Sequence, residues 1–196
     1  MMEFFKNIFN LHEKKVCFIG IGGGGSNVVE NIAKMENTHT VIHMNSDLQA
    51  LQQKKYGHRL LLGYEDKHGL GCGAKMECGL QLFNNTTKAK LQETIPEETT
   101  PCLVTALGGG VGSGVTPEVV KYLKEIKTKF KVIVIMPFTF EGKKRQQTAM
   151  KSLELIKHYT RNVIIIRNDD CLIKGSKQGF SESLATISKQ VYGKGV

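Results

Sequence analysis

KVCFIGIGGGGSNVVENIAKM, residues 15–35, and CLVTALGGGVGSG, residues 102–114, decide the fold of this chain. In each, an apolar run of β type ends in a glycine cluster that opens a helix-like pattern. Glycine has no Cβ, so consecutive glycines let backbone N–H groups turn toward an anion and let it approach closely. The start of a helix adds unpaired N–H donors and the positive end of its dipole. One such loop is common, but two at the ends of separate strands imply a polyphosphate held from both sides. The chain therefore reads as a nucleotide binder.

Outward from these loops the pattern alternates strand and helix. Strands are expected at 15–20, 40–45, 59–62, 102–107, 131–136 and 162–166. Helices are expected at 26–35, 76–90, 117–127, 143–159 and 178–190, with a loop at 69–73 and a proline-bracketed polar linker from Pro96 to Pro101. Such alternation implies an α/β, Rossmann-like fold with a mainly parallel sheet and helices on both faces. Ligands of these sheets sit beyond the carboxyl ends of the strands, where both glycine clusters would lie.

Composition narrows the function. The 196 residues are enough for one domain with a real core, and no apolar stretch approaches the length of a membrane span. The five cysteines, Cys17, Cys72, Cys78, Cys102 and Cys171, are scattered. The spacing of Cys72 and Cys78 suits neither a zinc knuckle nor a redox motif, so reduced thiols and a cytoplasmic setting are expected. The net charge of +9 favours acidic partners. Much of it lies in Lys121, Lys124, Lys127, Lys129 and Lys131, without interleaved aromatics to stack bases, so these read as a solvated helix face and nucleic acid is not expected. Residues 1–12 form an extension ahead of a domain spanning 13–196. In it Met1, Met2, Phe4, Phe5, Ile8, Phe9 and Leu11 cover about half of a helical wheel. That face fits docking on its own domain or a partner, or contact with a membrane surface.

The first cluster contains G-x-G-x-x-G at Gly20, Gly22 and Gly25, and Asp47 ends the next strand where a dinucleotide fold places its ribose-binding acid. A nicotinamide- or flavin-dependent oxidoreductase thus stays open as a reading of this motif. The P-loop pattern G-x-x-x-x-G-K-[ST] is absent. The motifs GIGGGGSNVV (20–29), NSDLQAL (45–51), GLGCGA (69–74), GGGVGSG (108–114) and PFTFEGKKRQ (137–146) occur in that order. Together they resemble the tubulin/FtsZ family of filament-forming GTP-binding proteins, on its FtsZ side, from about residue 15 to the chain end.

The resemblance implies GTP or GDP as ligand, with Mg2+ as a companion, and self-association or assembly with a full-length FtsZ-like protein as the mode of action. It implies that Gly22, Gly23, Gly24, Gly25, Ser26 and Asn27 meet the phosphates and the guanine side, and that Asp47 and Ala50 lie in the segment approaching phosphate and magnesium. Gly71, Cys72, Gly73 and Ala74 would sense the terminal phosphate. Gly109, Gly110, Val111, Gly112, Ser113 and Gly114 would wrap the phosphates. Glu141 would accept from ribose hydroxyls beside Arg145, Asn168 would reach the ribose or base, and Phe180 would stack on guanine. Taken singly, Glu141 and Arg145 also fit a solvated helix start, Asn168 a turn, and Phe180 core packing.

The chain departs from the family pattern in four places. Val111 stands where threonine is usual, removing a hydroxyl donor worth about 1.5–3 kcal/mol to a charged group. Lys75 and Met76 replace Asn-Pro. Leu184 stands where a base-reading Asp or Asn is usual, with Glu182 or Ser183 as substitutes, which weakens guanine discrimination. No N-x-D-x-x-D loop, the family's acidic catalytic element, occurs in the 196 residues. The expectation is GTP binding with slow hydrolysis by this chain alone, since nothing in it is suited to position the attacking water.

Overall fold

The computed structural model describes residues 15–35, 39–63 and 69–172. In chain order they form β1 (Lys15–Ile21), α1 (Gly22–Met35), β2 (Thr40–Asn45), α2 (Leu48–Gln52), β3 (His58–Leu61), α3 (Met76–Gln81), α4 (Asn85–Thr94), β4 (Thr99–Ala106) and α5 (Gly110–Glu125). Then follow β5 (Lys131–Met136), a 3-10 turn (Thr139–Glu141), α6 (Lys143–Tyr159), β6 (Val163–Arg167) and α7 (Asn168–Leu172). The six strands make one sheet in the order β3-β2-β1-β4-β5-β6, and every neighbouring pair is parallel.

A parallel sheet needs both faces covered, which is why its central strands are apolar without a break. Strand β1 shows this residue by residue. Cys17, Ile19 and Ile21 join one buried cluster with Val115, Val119 and Leu123 of α5 and Leu153 and Ile156 of α6. Val16 and Phe18 point the other way, into a second cluster with Val28, Val29 and Ile32 of α1. In α6 the buried residues Ala149, Ser152, Leu153 and Ile156 recur at helical spacing, which defines the stripe that meets the sheet side. No helix among the described residues is long and apolar enough to cross a membrane.

The expected strands 40–45 and 131–136 and helix 143–159 match the observed elements. Others differ for identifiable reasons. The expected helix 76–90 is two helices, because the Asn84 side chain accepts from Thr87 N at 3.0 Å and starts α4 afresh. Strand β4 begins at Thr99 and includes Pro101. The sheet is one-sided there, since β5 joins only from Cys102, so the missing proline donor is tolerated. Helix α5 starts at Gly110 rather than 117, and α1 starts at Gly22 rather than 26, so each glycine cluster is itself a helical first turn.

Pro117 then falls inside α5 and removes the N–H that would bond the Ser113 carbonyl. Ser152 of α6 supplies the replacement, its hydroxyl donating to Ser113 O at 2.7 Å. The cysteines require a correction: Cys72 and Cys78 are disulfide-bonded, with their Cα atoms 5.7 Å apart. A loop turning at Gly71 and Gly73, both at positive φ, folds Cys72 back over the start of α3. Cys17 and Cys102 are buried free thiols, and burial pushes Cys17 up to about 12. The amphipathic segment 1–11 and the helix expected at 178–190 lie outside the described residues, as do Phe180 and Leu184.

Candidate functional site

Chain order reverses between β1 and β4. From β1 the chain winds outward through β2 to β3, then returns to the other side of β1 and continues through β4 and β5 to β6. The crevice beyond the carboxyl ends of β1 and β4 is the topological switch point, the place where such sheets bind ligands. Both glycine turns open into it.

The two turns touch. A Cβ on Gly22 (φ +74°) would lie 2.9 Å from Gly112 N, and one on Gly112 would lie 2.4 Å from Ala106 O. A Cβ on Gly25 would lie 2.2 Å from Val104 O. These glycines are demanded by close backbone packing. Gly23 and Gly109 differ: a Cβ on either would meet nothing within 4 Å. The glycines thus divide into those that lock the turns together and those that leave a backbone surface bare.

The hydroxyls of these turns are spent internally. Ser26 donates to Gly20 O at 3.3 Å, and Ser113 accepts from Gly108 N at 2.7 Å; both side chains are buried. Val111 is buried in the core cluster that includes Cys72. What the crevice offers an anion is therefore backbone amide at two helix starts. Gly110 N is already bonded to Gly73 O at 3.0 Å, which draws the loop 71–74 against α5.

That loop is also tied to β2. Asp47 and Leu70 form an antiparallel bridge, Leu48 N donates to Gly69 O at 3.0 Å, and Gly71 N donates to Ser46 O at 3.1 Å. Asp47 caps α2, its Oδ1 accepting from Ala50 N at 3.0 Å. Beside it the fully buried Ser46 Oγ has no hydrogen-bond partner among the described residues, and a Cβ on Gly71 would lie 3.9 Å from it. On the far rim Arg145 lies across Gly108, where a Cβ would meet Arg145 Cγ at 2.6 Å. Arg145 Nε pairs with Glu141 Oε2 at 3.0 Å, and the other Glu141 oxygen accepts from Phe138 N at 2.7 Å. Asn168 is buried at the end of β6 with its Oδ1 unpartnered among the described residues. Its neighbour Asp169 accepts from Thr139 N at 3.1 Å, joining it to the Phe138–Glu141 turn. Asn27 is exposed on α1 and accepts from Lys54 Nζ.

A model of the GTPase domain of the tubulin/FtsZ family matches residues 15–173, most of the chain. The chain belongs to the tubulin/FtsZ family. It is 32% identical over 165 residues to the cell division protein FtsZ of Helicobacter pylori, covering 83% of this chain and 43% of that protein. Among solved structures it superposes on an empty FtsZ dimer from M. jannaschii with TM-score 0.81 and 24% identity, covering 97% of this chain and 55% of that one. It superposes on a GTPgS-bound protofilament of CetZ2 from Haloferax volcanii with TM-score 0.80 and 23% identity, covering 90% and 55%. The structural likenesses show the fold, and the chain spans about half the length of the relatives it matches.

The family model that matches is a GTPase domain, not a dinucleotide-dependent oxidoreductase. The structure brings together the segments around Gly23, Gly73, Gly109 and Arg145 in one crevice. It shows Ser26 and Ser113 turned inward, so their contribution to an anion would be through backbone. Asp47 holds its own helix start, and Glu141 has both oxygens engaged. Two features escaped the sequence. Ser46 sits inside the quoted NSDLQAL motif, but its orphaned hydroxyl depends on burial. Lys54 meets Asn27 only through folding, and burial lowers its pKa against the opposing pull of Glu30.

Proposed function

We propose that this chain binds a guanine nucleotide in the β1–β4 crevice and acts by assembling with copies of itself or with a longer FtsZ-like relative. The observation that carries the reading is the division of the glycines: turns locked through Gly22 and Gly112, with Gly23 and Gly109 bare toward open space. A phosphate chain fits such a surface because it needs N–H donors and no side-chain bulk. Arg145 lies over Gly108 at the rim with its charge paired by Glu141. The relatives support the nucleotide and the assembly, since the CetZ2 structure is a GTPgS-bound protofilament. A role in cell division or filament regulation follows from the likeness to FtsZ.

Among the described residues no group of three or more His, Cys, Asp or Glu side chains is gathered to hold a metal. Magnesium would therefore come with the phosphates, with Asp47 the carboxylate at that rim; this ion commonly takes one or two carboxylates plus substrate oxygens. Hydrolysis by the 196 residues alone is expected to be slow, for want of an N-x-D-x-x-D acid pair in them. The test is to denature freshly purified protein and identify the released nucleotide by chromatography, then to assay turnover alone and mixed with a full-length relative. The reading expects GDP or GTP and faster turnover in the mixture. Release of NAD(P) or of no nucleotide, with no GTP binding by calorimetry, would refute it.

A further inference from the structure

At the end of the sheet opposite the glycine turns, a groove of about 540 Å³ runs between the close of α4 and the close of α5. Ile95, Pro96, Tyr122 and Ile126 supply its apolar lining, with Glu93 and Glu97 at its edge. Ile126 is 43% exposed, and Tyr122 is held in place by its hydroxyl donating to Gln92 at 2.8 Å. The groove is concave and of mixed polarity, with polar Gln92, Thr99 and Thr128 beside its apolar residues.

We infer that the groove is the docking site of the chain's own residues 1–11. Two observations select this occupant. First, Lys15, where β1 begins, is paired with Thr99, and Cys17 with Pro101; Thr99 and Pro101 both line the groove. The leading segment therefore departs from the groove's own wall, and the few residues from Leu11 to Lys15 can span about 14 Å when extended. Second, MMEFFKNIFNL carries Met1, Phe4, Phe5, Ile8, Phe9 and Leu11 at helical spacing, an apolar stripe about 16 Å long if the eleven residues are helical. A tethered segment also acts at an effective concentration in the millimolar range, an advantage over a second copy or a lipid surface.

The chain contains no tryptophan, so Phe5→Trp places a single reporter in the full-length protein. Docking predicts blue-shifted emission and several-fold weaker acrylamide quenching than free tryptophan, independent of protein concentration. Adding Ile126→Glu, at a half-exposed helix end, should return both to solvent values with cooperative thermal unfolding retained. Solvent-like emission in the parent protein would overturn the inference, and so would a blue shift indifferent to the groove substitution. A blue shift that appears only with phosphatidylglycerol vesicles would assign the segment to a membrane. One that grows with protein concentration would assign it to another copy.

Discussion

Replacing Gly109 by alanine separates binding from folding more cleanly than any other change in the crevice. Gly109 has φ −100° and ψ 172°, extended backbone that any residue adopts, and a Cβ there meets nothing within 4 Å. Alanine there gains about 0.4–1 kcal/mol through the unfolded chain, but Gly109 is also the N-cap of α5, where glycine is favoured over alanine by a similar amount, so Tm should stay near that of the parent. The same methyl projects into the space we assign to phosphate. Displacing one charge-assisted hydrogen bond costs about 1.5–3 kcal/mol, a roughly ten- to hundredfold loss of affinity. Gly112→Ala is the counterpart: its Cβ would lie 2.4 Å from Ala106 O and 2.9 Å from Thr105 Oγ1, so the turn must shift, at about 1–3 kcal/mol or more of stability. Calorimetric titration with GTP and thermal unfolding of both variants give the four numbers. If Gly109→Ala binds GTP as tightly as the parent, the bare side of the turns is not the phosphate side. If Gly112→Ala unfolds at the parent temperature, the turns are not interlocked.

Three further outcomes follow from the packing. Ser152→Ala should lose about 1–3 kcal/mol in urea unfolding by orphaning the Ser113 carbonyl, and Pro117→Ala should recover part of that by restoring the helix donor; strictly additive effects would contradict the coupling. Cys78→Ser should cost about 2 kcal/mol from the loss of a short closed loop, matched by adding reductant to the parent; a Tm unmoved by reductant would show that Cys72 and Cys78 are not bonded in solution. His43 is fully buried, with Nε2 donating to Tyr56 O at 2.9 Å and 3.2 Å from Glu30, while Lys54 and Arg59 face it unfavourably. Desolvation is the largest influence and lowers its pKa, so the unfolded chain takes up the proton first; stability should fall as pH drops below about 6.5, and His43→Gln should flatten that slope in pH-dependent denaturation.

The strands and both glycine turns were legible because a parallel sheet writes itself as unbroken apolar runs and because glycine clusters have few other uses. The starts of α1 and α5 were not. Glycine is a poor helix former and Pro117 looks like a first-turn residue, so propensity places the α5 start seven residues late. Tertiary contact overrides it: a Cβ on Gly79 would lie 2.2 Å from Gly110 O, and one on Gly114 would lie 2.6 Å from Gly79 Cα, so these glycines also let α3 and α5 cross closely. The compensating Ser152 hydroxyl, 39 residues away from Ser113, leaves no local signal. Neither does the Cys72–Cys78 bond, which depends on a turn at Gly71 and Gly73. At the site, residue types pointed to loops that the fold gathers at the β1–β4 crevice, but the division of labour among the glycines, the inward Ser26 and Ser113, and the orphaned Ser46 and Asn168 depend on burial and distance.

Amide hydrogen exchange with and without GTPgS tests the central claim most directly. Residues 22–25 and 109–113, far apart in sequence, should become protected together and at the same nucleotide concentration. Protection of one segment without the other would contradict a ligand held between the two turns.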